Sequence, residues 1–244
     1  MIKQILQIVL CAVTLLVPLS AMAQDFGLDI NVGLKKKIVK GLNISAAFEL
    51  RTQDMSSEME RIDAGIDLSY KPIDYFKVGV GYHFIDKYKL KHETESGNII
   101  DNYWSPRHRV HADVTGILPV DNFEISLRER YQFTYRSETS AKKWNSVGVA
   151  QENKVYDAED EHVLRSRVMA QYKIKPVNIA PYFSMEMYND LTDSFSIDKI
   201  KLTTGMEYSL QKHHVFDLFY RYTAGIADYD DECHLIGIGY EFKF

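Results

Sequence analysis

Two cysteines in 244 residues are too few for a disulfide scaffold or a Cys-rich zinc centre. Basic charge is not in excess either: 29 Lys+Arg stand against 34 Asp+Glu. With a pI near 5.9, nothing suggests a nucleic-acid partner. Long apolar runs are absent after residue 23, and a helical span needs roughly 18 or more such residues. A helical membrane protein is therefore excluded. Disorder is excluded by composition, since 45% of residues are apolar and 12% aromatic. Phosphate-binding glycine loops, local catalytic motifs and the ordered spacing of a calcium loop are missing too. What none of these absences excludes is a membrane barrel, whose strands hide their hydrophobicity by alternation.

Residues 1–23 read as an export signal. Lys3 supplies the positive start, an apolar stretch runs from Ile5 to Leu19, and Ala21-Met22-Ala23 forms the cleavage pattern. Cys11 follows Leu10 inside the apolar stretch, where a lipoprotein signal would want a small residue. The expected mature chain is 24–244, one domain, with Cys233 as its only cysteine. No intrachain disulfide is then possible.

Alternation of period two runs through nearly all of that chain. Ile62, Ala64, Ile66, Leu68 and Tyr70 point one way, and Arg61, Asp63, Gly65, Asp67 and Ser69 the other. The pattern repeats after a short turn, with Phe76, Val78, Val80, Tyr82 and Phe84 against Lys77, Gly79, Gly81 and His83. Similar segments lie near 42–51, 110–114, 123–135, 164–174, 179–187, 200–210, 216–222 and 236–244. Phe26/Leu28/Ile30/Val32/Leu34 opens the series as an eleventh candidate.

A soluble sandwich also alternates, but three features favour a transmembrane antiparallel up-and-down barrel of ten to twelve strands. The polar face is heavily ionic, with Arg51, Arg128, Arg130, Arg165, Arg167, Arg221, Glu49, Glu186, Glu207, Asp217 and Glu241. The apolar face ends repeatedly in Tyr or Phe, as interfacial aromatic girdles require. Connections alternate between short turns (near 71–75, 118–122, 175–177 and 211–214) and longer polar stretches (53–60, 86–106, 137–161, 189–198, 227–232). Outer-membrane barrels sort their connections in this way, with short turns periplasmic and long loops extracellular. The last strand puts Ile236, Ile238, Tyr240, Phe242 and Phe244 on one face. Ending on Phe244 is the form that barrel-assembly machinery reads. Lipid leaves backbone groups unsatisfied, so a spanning sheet must close on itself.

The pieces 42–51 (LNISAAFELR), 64–82 (AGIDLSYKPIDYFKVGVGY), 106–109, 124–131, 163–172, 181–188 (PYFSMEMY), 205–210 and the C-terminal strand resemble an uncharacterised family of bacterial outer-membrane barrels, domain-of-unknown-function family 2490. The resemblance implies a location in the outer membrane of a Gram-negative bacterium, among its lipid and lipopolysaccharide. It implies no activity.

Single-chain bacterial barrels have even strand numbers, so eleven candidates are awkward. Either ten strands close with 26–34 as an extra strand or a partial luminal plug, or a twelfth has escaped notice. Glu129 is awkward in another way, since it falls on the lipid face between Leu127 and Tyr131. It is read as a local bulge or interfacial position, with a lateral partner contact as the alternative.

The inward Arg128, Arg130, Arg165 and Arg167 form a candidate surface for a small anionic solute, because guanidinium forks recognise carboxylate and phosphate. Glu186, Glu207, Asp217 and Glu241 are their candidate counter-charges. The expected function is a narrow channel or transporter without cofactor or metal. A closed barrel serving as envelope scaffold or surface-binding protein is the second reading. A lipid-modifying outer-membrane hydrolase is the third, and would need His83 or His111 near a serine such as Ser126 or Ser184. His213-His214 is expected in a solvated turn, and the acidic groups 157–161 and 228–232 in solvated loops.

Overall fold

A strand whose side chains alternate between apolar and ionised sorts them onto opposite faces of the sheet. The computed structural model describes residues 26–53, 58–192, 195–225 and 233–244. Its strands are β1 (Phe26–Val39), β2 (Leu42–Gln53), β3 (Glu58–Ile73), β4 (Phe76–Lys89), β5 (His92–Glu93), β6 (Ile99–Ile100), β7 (Tyr103–Val120) and β8 (Phe123–Arg136). They continue with β9 (Thr139–Trp144), β10 (Ala150–Tyr156), β11 (Glu159–Tyr172), β12 (Ile179–Asp190), β13 (Ile197–Leu210), β14 (His214–Gly225) and β15 (Cys233–Lys243). Eleven of them close a barrel in the order β1-β15-β14-β13-β12-β11-β8-β7-β4-β3-β2. The other four form a small sheet, β10-β9-β6-β5, built from the two longest connections. All eleven segments legible in the sequence stand in the wall.

An odd number of strands running alternately up and down leaves the first and last pointing the same way. The closing pair is accordingly parallel, from Phe26↔His234 to Lys35↔Lys243, while every other barrel pair is antiparallel. The segment 26–34, read as an extra strand or a plug, is thus the closing strand. It lies in the wall and leaves the lumen clear of it.

Connections at 40–41, 74–75, 121–122, 173–178 and 211–213 fall on one rim with the chain's end, and the longer ones fall on the other. The tight turns use left-handed backbone. Gly41 has φ +83°, and a Cβ there would lie 2.5 Å from the Lys71 carbonyl oxygen. The connection at 226–232, including the acidic group there, lies outside the described residues, as does the expected signal at 1–23.

The polarity is inverted relative to a soluble fold. Ile66, Val80, Phe183 and Ile238 are each more than half exposed on the outer face, while Asp29, Arg51, Asp63, His111, Asp113 and Glu186 are buried inside. Two stacked sheets would hide those apolar faces against each other, but here they surround a closed cylinder and present the surface that hydrocarbon requires.

A repeated cross-strand unit builds the aromatic girdle. Tyr82 and Phe84 face Val110 and His108, Tyr131 and Phe133 face Leu164 and His162, and Tyr220 and Tyr222 face Ile236 and His234. In each, the histidine lies opposite the second aromatic, and its Nδ1 hydrogen-bonds diagonally to the first tyrosine hydroxyl, at 2.8, 2.7 and 2.5 Å. All three belong to the long-connection rim. His214 repeats the unit at the other rim, opposite Phe242 and 2.9 Å from the Tyr240 hydroxyl. His213 bonds the Lys243 carbonyl at 2.7 Å. His213 is exposed in the turn as expected, while His214 is half-buried against the last strand.

Glu129 faces outward from a strand whose pairings with β7 and β11 show no register shift, so no bulge explains it. It accepts a 2.7 Å hydrogen bond from the hydroxyl of Ser166, its direct neighbour on β11.

The apolar belt is testable at Val80, midway between the aromatic positions Phe76 and Phe84. Val80→Arg is expected to destabilise the barrel by about 2–4 kcal/mol, measured by urea unfolding in lipid vesicles. Ala47→Gln, on the luminal face, should cost clearly less.

Candidate functional site

The barrel encloses a cavity of about 680 Å³. Its lining holds the cations Arg51, Arg61, Lys87, Arg107, Arg109, Arg128, Arg130, Arg165, Arg167, Lys199, Lys201 and Arg221. The carboxylates in the same lining are fewer: Glu49, Asp63, Glu161, Glu186, Glu207, Asp217 and Glu241. The chain as a whole carries a net charge of −5, so positive charge is concentrated inside.

The four arginines singled out from the sequence come together at the middle of β8 and β11, where Arg130 is directly opposite Arg165 and Arg128 opposite Arg167. Like charges in cross-strand register repel, and two carboxylates hold the group together. Glu186 accepts from Arg128 at 2.5 Å and from Arg165 at 3.0 Å. Asp113 accepts from Arg130 at 3.2 Å. The other fork of Arg165 reaches Gln132 at 3.0 Å. Although Arg167 is the direct β11 partner of Glu186, it forms no ion pair among the described residues. Arg109, hydrogen-bonded through Nε to Thr134 at 3.3 Å, forms none either.

Tyr188 carries the next layer. Its buried ring lies beneath the Arg165 guanidinium at 4.6 Å and the Lys201 ammonium at 4.8 Å, with Lys199 at 5.5 Å. Its hydroxyl donates to Glu186 at 3.2 Å. Lys201 stands opposite Glu186 across the β12–β13 register and forms no ion pair among the described residues. Arg167, Arg109 and Lys201 thus line the cavity with no ion-paired carboxylate among the described residues.

Glu207, grouped with the arginines in the sequence reading, stands apart from them. It accepts from Gln171 at 3.1 Å and faces Asp217 across the β13–β14 register. Asp217 in turn accepts from the Tyr182 hydroxyl at 3.0 Å. Both lie nearer the short-turn rim, a separation that strand shear sets and that alternation alone does not encode. Arg136 reaches the long-connection rim, where it pairs with Glu159 at 2.8 Å.

Two clusters bring together residues that alternation does not connect. In the first, Asp29 of β1 accepts from Arg51 of β2 at 2.8 Å and from Arg221 of β14 at 3.1 Å. Glu49 binds Arg51 at 3.1 Å and also Arg61. Only the parallel seam makes β14 and β1 near neighbours. In the second, His83 and His111 meet Asp63, Asp67 and Asp113. The Nδ1 of His83 lies 2.7 Å from Asp63, and Nε2 of His111 lies 3.1 Å from Asp67 and 3.8 Å from Asp113. Neither Ser126 nor Ser184, the serines weighed for hydrolysis, is among the polar partners of these histidines.

The family model that matches is described as "Protein of unknown function (DUF2490)" and spans residues 28–228. None of the curated proteins matches the sequence. Among solved structures, the chain is similar to the beta domain of the Bordetella autotransporter BrkA, at 12% identity over 81% of each chain with a TM-score of 0.53. It is also similar to the translocator domain of autotransporter NalP from Neisseria meningitidis, at 12% identity over 82% of this chain and 76% of that one, with a TM-score of 0.54. The NanC porin aligns over 85% of this chain and 94% of its own at 13% identity, with a TM-score of 0.43. At such identities the likeness concerns the fold, and that fold is the outer-membrane β-barrel.

Removing Glu186 leaves the arginine group without its main bridge. Glu186→Gln is expected to cost roughly 3 kcal/mol, the lower end for breaking a buried pair, since water reaches this lumen. Arg167→Gln removes an unpaired like charge and is expected to leave stability unchanged or raise it. Denaturant titration of the folded barrel in detergent checks both.

Proposed function

The chain belongs to the family of proteins of unknown function DUF2490, and from its closed barrel and the charge of its lumen we propose a narrow channel or transporter for a small anionic solute in a Gram-negative outer membrane. The observation that carries the reading is the set Arg109, Arg167 and Lys201, which line the cavity without an ion-paired carboxylate among the described residues. Guanidinium groups already tethered by Glu186 and Asp113 keep their forks pre-aimed, which lowers the ordering cost of gripping a carboxylate or phosphate. A ring of cations in a low-dielectric wall also attracts anions over cations. Export by residues 1–23 and insertion through the strand ending at Phe244 belong to the same reading.

Planar-bilayer recordings of the purified protein test it. The expected result is an anion-preferring conductance, with that preference falling several-fold in Arg167→Ala and Arg165→Ala. Absence of conductance, or a cation preference that both substitutions leave unchanged, would overturn the proposal.

A further inference from the structure

The luminal histidines lie outside the arginine group, and their surroundings are those of a coordination site. We infer that Asp67 of β3, His83 of β4 and His111 of β7 bind a divalent first-row transition-metal ion, with zinc the simplest occupant. One donor atom from each falls within 4.8 Å of the others. His111 Nε2 is 3.1 Å from Asp67 Oδ1, and His83 Nε2 is 3.6 Å from Asp67 Oδ2. Bonds of 2.0–2.1 Å to nitrogen and oxygen set tetrahedral donors about 3.3 Å apart, and the two carboxylate–imidazole separations lie on either side of that value. Imidazole with carboxylate is a donor set for zinc, copper or nickel rather than magnesium or calcium.

The surroundings carry the argument further. His83 Nδ1 is held by Asp63 at 2.7 Å, the carboxylate–histidine arrangement that fixes the tautomer and turns the Nε2 lone pair toward a metal. Asp113 Oδ2 lies 3.8 Å from His111 Nε2, a further carboxylate beside the group. The space itself depends on missing side chains. A Cβ on Gly65 would fall 2.4 Å from the His83 ring, and one on Gly81 would fall 2.2 Å from Asp67 Oδ1 and 2.5 Å from the His111 ring. Three carboxylates stand around two imidazoles, which suits a dication even with Arg130 drawn onto Asp113. Both histidines line the cavity, so an ion reaches the site from the lumen. The site rests on this geometry and is independent of the channel reading.

The test uses tag-free, folded, EDTA-treated protein in detergent, titrated with Zn²⁺ by calorimetry and with Co²⁺ by visible absorption. One ion per chain is expected, with cobalt bands of a four- or five-coordinate centre. His83→Ala and His111→Ala should abolish binding, and Asp63→Asn should weaken it by about 10- to 100-fold. His213→Ala with His214→Ala, at the short-turn rim, should leave it intact. Heat-modifiable gel migration reports folding of each variant. Where a histidine variant does not fold, the near-isosteric Asp67→Asn decides, and its binding should be weakened. No stoichiometric uptake by wild type, or uptake that His83→Ala, His111→Ala or Asp67→Asn leaves unchanged, would overturn the assignment and leave two imidazoles hydrogen-bonded to a carboxylate.

Discussion

In hydrocarbon a strand's N–H and C=O groups have no water to turn to, and each unmet group costs several kcal/mol. The rest of this molecule answers that one demand. Every barrel strand has a neighbour on both sides, and the count of eleven is reconciled with closure by a parallel seam between β1 and β15. Parallel bonds are slanted and slightly weaker per residue than antiparallel ones. The ten paired positions of the seam are reinforced outside by Leu28, Ile30 and Val32 lying beside Ile236, Ile238 and Tyr240.

Closure also decides where charge goes. With the outer face given to Val, Ile, Leu and aromatic rings, ionised groups are enclosed, and enclosed ions need partners. Most have them: Asp29 serves Arg51 and Arg221, and Glu186 serves Arg128 and Arg165. The lining nonetheless holds more Lys and Arg than Asp and Glu, while the chain's acidic surplus lies elsewhere. That imbalance, more than any single residue, gives the lumen its character. Glu129 shows the complementary case on the outside, where the neighbouring Ser166 hydroxyl satisfies one carboxylate oxygen.

The fold was legible because period-two alternation, girdle aromatics and sorted connection lengths are properties of single strands, each readable along the chain. The eleventh segment was visible too, but its role was not, since a seam between residues 26–35 and 234–243 leaves no local trace. The arginine group was legible for a similar reason: Arg128, Arg130, Arg165 and Arg167 share parity on two consecutive barrel strands. Glu207 was misplaced because parity fixes the face and not the height. Asp67 went unread as a partner of His83 and His111 since their meeting depends on the relative shift of β3, β4 and β7. The Tyr–His units of the girdle were open to reading. Their Tyr-x-aromatic and His-x-aliphatic halves recur in sequence, and only the pairing of halves needed the structure.

The seam has a kinetic side. Every antiparallel pair of the wall joins strands consecutive around the meander, so hairpins can form as local events at modest loop-closure cost. The β1–β15 ladder ties the first strand of the barrel to the last, and it is available only once everything between them is in place. Before that moment both strands present bare hydrogen-bonding edges, each a template for a mismatched partner or a second molecule. Completion of the cylinder is therefore a race between an intramolecular join and intermolecular edge pairing, and dilution favours the join.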